Sequence, residues 1–170
     1  GLLTASESAA LEKTAQSIAQ RWGVGIYIVT VDDSYRIDGR GTYEAAYTFY
    51  HNHSLGVGAE RNGAILLLSM NDRASAHFYY GEKSEYAFNG YAQEQIEDVF
   101  LDNFRENDWY GGFSDYLTAC GEYLALAAEG RPVRRSPVPA IVISCAAAVL
   151  IAFLVCAVLK RKMKSVYVQA

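Results

Sequence analysis

The stretch RNGAILLLSMNDR, residues 61–73, joins a turn signal, a continuous apolar run and an abrupt polar end. Asn62-Gly63 favours a turn, and AILLLS (64–69) is typical of a strand covered on both faces. The earlier run IYIVTV (26–31) has the same apolar character. Because a helical segment separates the two runs, they predict a parallel pair of strands joined by a right-handed crossover.

Helical signals surround these strands and complete an α/β pattern. Thr4 followed by Glu7 is a capping box, and the apolar stripe behind it predicts a first helix. Thr42 is expected to cap a second helix that runs to about His53. The run SAHFYY (75–80) follows the second strand too closely for a crossover, so we expect it to return antiparallel. With two further helices after it, the sequence predicts an α/β domain with a small mixed sheet between helical layers.

Charge and hydropathy divide the chain into a domain (1–130), a Pro/Arg-rich stalk (131–139), an apolar span (140–159) and a basic tail (160–170). All 19 acidic residues precede Arg131, so the domain has 8 basic against 19 acidic residues, a net charge of −11. The remainder of the chain carries +7. An acidic domain of this kind argues against nucleic acid as a partner.

Residues 140–159, AIVISCAAAVLIAFLVCAVL, contain no charged side chain. At about 1.5 Å per helical residue they span about 30 Å, the thickness of a bilayer's hydrocarbon core. A buried core helix would be shorter and would show polar interruptions, so we expect one transmembrane helix in contact with membrane lipid. Small residues recur at every fourth position, which favours self-association between helices, although the composition of the run explains the stripe equally well. The stripe comprises Ala140, Ser144, Ala148, Ala152 and Cys156.

The orientation of this span follows from weaker signals. Three basic residues precede the span in the stalk and four follow it, so the positive-inside rule gives the tail a slight excess. The chain begins at Gly1 without an initiator Met, which agrees with removal of a signal peptide. We expect a single-pass cell-membrane protein with an extracytoplasmic domain 1–130 and a cytoplasmic tail 160–170.

Polar side chains follow both predicted parallel strands, with Asp32 and Asp33 after the first and Asp72 and Arg73 after the second. The carboxyl ends of parallel strands meet at one edge of a sheet, where ligands collect. Crowded carboxylates suit Ca²⁺ or Mg²⁺, and an adjacent arginine can hold a phosphate. The alternative is a pair of polar turns, in which Asp72 bonds its own loop and Arg73 pairs with it. The residues alone leave both interpretations open.

Four other features limit the chemistry. Cys120 lies on an apolar helical stripe and is expected to be a buried structural thiol. His77, alone in a strand, favours a structural role over that of a general base. Asp108 either caps the last helix or binds a ligand. The chain has 13 tyrosines, some of which are expected to be exposed and to form a contact surface.

Four segments, GLLTASESAALEK, GVGIYIVTVDD, LGVGAERNGAILLLSMNDR and NDWYGGF, occur in an order that resembles the TPM domain over about residues 1–130. This family is named for a thylakoid acid phosphatase, a photosystem II repair factor and a modulator of acetylcholine receptors. The resemblance implies a Rossmann-like α/β/α sandwich that often projects from a membrane. It also implies candidate site residues in an acidic cleft that binds divalent cations: Asp72, Arg73 and Asp108. Asn89 stands where a carboxylate is usual, which removes one anionic ligand.

Two functions are compatible with these observations. The first is a membrane-anchored extracytoplasmic module that binds and assists envelope or membrane proteins, with divalent-cation binding as an added property. The second is a cation-dependent acid phosphatase in which Asp32, Asp72 and Asp108 hold Ca²⁺ or Mg²⁺ and Arg73 orients the phosphate, with Asp72 and Arg73 as the candidate catalytic residues. The lack of a nucleophile motif and the neutral Asn89 favour the first. The candidate metal ligands are Asp32, Asp33, Asp72 and Asp108.

Overall fold

A computed structural model describes residues 2–136. The elements are α1 (Ala5–Trp22), β1 (Gly25–Val31), α2 (Thr42–Asn52), β2 (Gly63–Ser69), β3 (Ala74–Tyr80), α3 (Glu82–Ala87), α4 (Gly90–Arg105) and α5 (Trp109–Ala128). The predicted span 140–159 and tail 160–170 lie outside the described residues, as does the end of the stalk. Within 2–136, no helix combines the length and the apolar character needed to cross a membrane.

The three strands form one mixed sheet in the order β1-β2-β3. β1 and β2 are parallel, with Gly25 opposite Gly63, and β3 returns antiparallel, with Tyr80 opposite Gly63. All seven residues of β2 are buried. The predicted parallel pair and the returning third strand are therefore confirmed, and β1 and β3 are the edges of the sheet.

Helices cover both faces of the sheet because the side chains of β2 alternate between them. Leu66 and its even-numbered neighbours belong to a core built with α1, α4 and α5. Ile65 and Leu67 pack on the opposite face with Ala46 and Tyr50 of α2. An apolar residue is needed on both faces, which accounts for the unbroken apolar run AILLLS.

The predicted helix starts are correct for α1 and wrong by one position for α2. Thr4 caps α1, and its N–H donates to Glu7 Oε2 at 2.7 Å to complete the capping box. In contrast, Thr42 is the first residue of α2 and Gly41, at φ 146°, precedes it as the cap. The Thr42 hydroxyl lies 3.1 Å from the hydroxyl of Ser34 and makes no cap bond. The Thr42 hydroxyl thus contacts a residue eight positions earlier, which the local capping pattern does not reveal.

The short helix α3 was not predicted from the sequence. It follows Gly81, whose φ of +90° favours glycine, and Lys83 N donates to Asn62 Oδ1 at 2.9 Å. A Cβ on Gly81 would lie 2.5 Å from the same oxygen. Asn62 thus anchors α3 as well as forming the turn before β2. Six residues are too few for helical periodicity to be visible in a sequence.

Candidate functional site

The loops after β1 and β2 meet, as predicted for two parallel neighbours. Met70 N donates to Val31 O at 2.9 Å, and Asn71 N donates to Asp32 O at 2.8 Å. The two segments of backbone therefore stay hydrogen-bonded beyond the ends of β1 and β2. We call these two loops, together with the start of α5 that Arg73 reaches through Asn107, the rim. A groove of about 340 Å³ is lined there by Asp32, Asp33, Arg36, Met70 and Asn71.

Buried Ser69 connects the two rim loops. Its Oγ accepts a hydrogen bond from the N–H of Ser34, which lies in the loop that follows β1, at 3.1 Å. The Ser69 side chain also hydrogen-bonds the exposed Asp72 carboxylate, and this bond, aided by Ala74 N, lowers the pKa of Asp72. Asp72 is therefore ionised at neutral pH and is held against its own hairpin.

Asp33 stabilises the local turn that follows β1. Its Oδ1 accepts from Tyr35 N at 3.0 Å and caps the single 3₁₀ turn Ser34–Arg36. Its other oxygen lies 3.8 Å from Arg36 Nε. Both contacts lie within three residues of Asp33, so its observed partners are local.

Asp108 caps α5, one of the two roles that the sequence left open. Its Oδ1 accepts from Gly111 N at 2.9 Å. A Cβ on Gly111 would collide with the same carboxylate, which gives a local reason for the glycine in NDWYGGF. Beside the cap, Trp109 packs against Phe104 with ring centroids 5.3 Å apart.

Arg73 contacts the α4–α5 connection, and in the described part of the chain no ion pair joins it to Asp72. Its Nη2 donates to Asn107 Oδ1 at 2.8 Å, and both residues have positive φ, 54° and 62°. The predicted Arg73–Asp72 pair is thus replaced by a contact across 34 residues of sequence. A cavity of about 350 Å³ lies here, lined by Arg73, Arg105, Leu68, Ser75, Leu101, Phe104 and Trp109.

The rim carboxylates are not arranged as a full coordination shell. Between residues 2 and 136, no group of three or more His, Cys, Asp or Glu side chains is placed to hold a metal ion. The groove offers Asp32, Asp33 and Asn71, fewer side-chain oxygens than the six to eight ligands of a typical Ca²⁺ site. The Ca²⁺ or Mg²⁺ site stays a prediction, and the residues present fit it only in part.

Two residues singled out in the sequence belong to or contact the core built with α1, α4 and α5. Cys120 is fully buried, and burial raises the pKa of its thiol, in agreement with a structural role. His77 Nδ1 lies 3.2 Å from the Tyr79 hydroxyl, and its ring centroid is 5.3 Å from that of Phe100. Burial lowers the pKa of His77 to about 4, so its ring is neutral at physiological pH.

An exposed aromatic cluster lies between α2 and the edge strand β3, and sequence analysis did not locate it. The rings of Tyr43 and Tyr47 contact Phe78 at centroid distances of 6.1 and 5.2 Å, and His51 contacts Tyr80 at 5.1 Å. The three tyrosines are 54%, 45% and 37% exposed. We call these five residues the tyrosine face. The spacing of four between the α2 members was the available signal.

Comparison with known proteins agrees with this fold. The model of the TPM domain matches residues 1–123. No curated protein matches the chain.

Three solution NMR structures from bacteria have similar folds. The BA42 protein of Bizionia argentinensis is 14% identical, with a TM-score of 0.59 over 78% of this chain and 86% of that one. The N-terminal domain of a P. gingivalis protein is 18% identical, with a TM-score of 0.62 over 80% and 84%. The N-terminal domain of cg2496 from Corynebacterium glutamicum is 12% identical, with a TM-score of 0.54 over 71% and 72%. At these identities the likeness concerns the fold, whereas the family model covers most of the sequence, and the chain therefore belongs to the TPM domain family.

Proposed function

We propose that this protein is a membrane-anchored binding module that assists a membrane or envelope protein from outside the cytoplasm. The observation that carries the proposal is the tyrosine face. Tyrosine supplies a large contact area at a small cost in side-chain entropy and is enriched at protein interfaces. Tyr43 and Tyr47 are about half exposed although they pack on the same ring of Phe78, so both present aromatic surface to solvent.

The local bonding at the rim supports a binding role over a hydrolytic one. Asp33, Asp72 and Asp108 each accept a hydrogen bond from a nearby residue of their own loop or helix start. A hydrolase that uses these carboxylates would have to share them between substrate, metal and backbone. Cys120, the one thiol among the described residues, does not take their place, since it is enclosed in the core with a raised pKa.

A membrane span at 140–159, with the basic tail 160–170 in the cytoplasm, completes this proposal. It would bring the domain close to a partner in the same membrane, and the small-residue stripe would allow helix–helix contact. The test is fractionation: the full chain should remain in carbonate-washed membranes, whereas a chain ending at residue 136 should not. Retention of the shorter chain would contradict anchoring by 140–159.

A cation-dependent phosphatase is the second candidate, and one observation favours it. Arg73 and Arg105 line the same cavity, next to the start of α5, and two guanidinium groups there would suit a phosphate. Arg105 also pairs with Asp102 at 2.6 Å, which reduces its availability. Asp72 and Arg73 would be the residues whose replacement abolishes turnover.

Site-specific photo-crosslinking in native membranes distinguishes the two functions. A photoreactive residue replaces Tyr47 on the tyrosine face, and the matched control replaces Tyr35, which is 56% exposed but lies by the rim. The binding proposal predicts a discrete adduct from position 47 and none from position 35. Phosphomonoester turnover that requires Arg73, with no adduct from position 47, would contradict it.

A further inference from the structure

A small cavity opens beside the edge strand β3 and shares no residue with the rim. Its volume is about 160 Å³, roughly that of five liquid water molecules at about 30 Å³ each. Side chains from α2, β3, α3 and α4 contribute to it, so it is formed by the tertiary fold. Its principal lining residues are Tyr43, His77, Tyr79, Glu85, Phe88 and Gln93.

Aromatic rings form much of the cavity wall. The Tyr79 and Phe88 rings pack with centroids 4.9 Å apart, and the His77 ring stacks beside Tyr79 at 6.1 Å. Tyr43 joins them from α2 and is half exposed. Faces of tyrosine and phenylalanine carry negative electrostatic potential and attract cations, most strongly where water is partly excluded.

The charge in the cavity has one sign. Glu85 is exposed and is the only carboxylate among the lining residues, which include no lysine or arginine. His77 does not oppose a cation because burial lowers its pKa to about 4. An anionic ligand would meet the Glu85 carboxylate with no positive side chain to compensate, whereas a cation would be attracted by both carboxylate and rings.

The polar groups in the wall include an acceptor for a ligand that donates hydrogen bonds. Both amide atoms of Asn89 have a protein partner: its Oδ1 accepts from Ala92 N, and its Nδ2 donates to Val133 O at 2.7 Å. Gln93 Nε2 donates to Phe88 O at 2.7 Å, which leaves the Gln93 carbonyl as its acceptor group. His77 Nε2 is buried and has no partner within the described residues.

We propose that this cavity binds a compact organic ammonium group, with Tyr43 and its neighbouring rings against the cation and Glu85 as its counter-charge. The terminal ammonium of a lysine side chain and a free primary alkylamine share this chemistry. The volume admits the ammonium and a short alkyl segment rather than a large ligand. This inference concerns a site separate from the candidate phosphate and metal residues and does not depend on either proposed function.

Binding to the full chain in lipid nanodiscs tests the proposal, with empty nanodiscs as the reference. The probes are n-butylammonium and Nα-acetyl-lysine methylamide, and n-butanol is the neutral comparison. Ligand-observed NMR titration should show saturable binding of at least one ammonium probe and none of butanol. Binding of the lysine derivative would indicate a protein lysine as the natural source, and binding of butylammonium alone would indicate a free amine.

Matched variants separate this site from non-specific attraction to an acidic domain. Glu85→Gln and Tyr43→Leu should each weaken ammonium binding about fivefold. Glu82→Gln and Tyr86→Leu change an exposed acid and an exposed tyrosine of the same short helix α3, yet neither residue lines the cavity. These controls should retain wild-type affinity. Equal binding of butanol, equal losses in the controls, or no saturable binding of either ammonium probe would overturn the proposal.

Discussion

The rim and the tyrosine face use exposed residues in different ways. At the rim, exposed Asp72 and Asp108 accept hydrogen bonds from their own loop or helix start. On the tyrosine face, Tyr43 and Tyr47 pack on Phe78 but leave about half of each side chain in water. An exposed carboxylate that also caps a turn needs no further explanation, whereas a cluster of exposed rings retains apolar surface for a partner. Exposed rings are thus the stronger evidence of binding here.

The largest effect is expected from Phe78→Ala, which removes the ring on which the tyrosine face is assembled. Phe78 is almost fully buried and contacts Tyr47 and Tyr50 at centroid distances of 5.2 and 5.4 Å. We expect a loss of about 3–5 kcal/mol in the free energy of unfolding, measured by urea denaturation. Asn71→Ala at the rim, where the side chain is exposed, should change it by less than about 0.5 kcal/mol. Similar losses of stability in both variants would contradict the expected difference between the tyrosine face and the rim.

The pH dependence of stability should depend on His77. Its pKa falls from 6.5 to about 4 in the folded protein because it is buried, so between these values the unfolded chain binds the extra proton. The neutral His77 therefore contributes about 3 kcal/mol to the free energy of unfolding above pH 6.5, and this contribution is lost as the pH falls to 4. Urea denaturation over this pH range should show that the free energy of unfolding falls less on acidification for His77→Phe than for wild type.

The control for this prediction is Asn52→Gln, a change that involves no titratable group at the exposed end of α2. Its loss of stability on acidification should match that of wild type. If His77→Phe and wild type lose stability in parallel, His77 is not the buried neutral group that the structure indicates.

At the rim, Asp108→Ala should reduce stability by about 1 kcal/mol because it removes the cap of α5. Asp108→Asn should have little effect, since asparagine caps helix starts about as well as aspartate. Thermal unfolding of the two variants in chelator measures the difference. An equal loss in both would show that the charge of Asp108, and not its cap bond, stabilises the domain.

An effect of similar size is expected from Asn89→Asp, which introduces the carboxylate usual in the family. Aspartate can still cap α4 but cannot donate to Val133 O, so we expect a loss of about 0.5–1.5 kcal/mol. Limited proteolysis should also cut faster after Arg131. Unchanged stability and cleavage would mean that the Asn89–Val133 bond contributes nothing.

The pattern of apolar residues was sufficient to predict the architecture because that pattern records which faces of the strands and helices are buried. The apolar runs 26–31 and 64–69 predicted their strands to within one residue, and the hairpin to β3 followed from the short connection. The missed features depend on distant residues. Arg73 contacts Asn107 across 34 positions, and Ser69 connects two loops that only the folded sheet brings together.

The exposure of the tyrosines was also beyond local reasoning. Tyr43, Tyr47 and Tyr50 all lie on α2, yet only Tyr50 is fully buried, with its hydroxyl donating to Arg61 O at 2.7 Å. Tyrosine is amphipathic, so its presence on a helix does not distinguish a core position from a contact surface. Tyr43 and Tyr47 pack against β3, and because β3 is an edge strand, their rings remain partly exposed.

Calcium-dependent unfolding of wild type and Asp72→Asn tests the central claim, that the rim carboxylates stabilise their own loops. Thermal unfolding of each protein is measured in chelator and in millimolar calcium. A loop role predicts that calcium shifts the midpoint equally, or not at all, in both proteins, because asparagine keeps an acceptor oxygen. A metal role predicts stabilisation of wild type by RT ln(1 + [L]/Kd) that is lost in Asp72→Asn. That selective loss would contradict the account and establish Asp72 as a cation ligand.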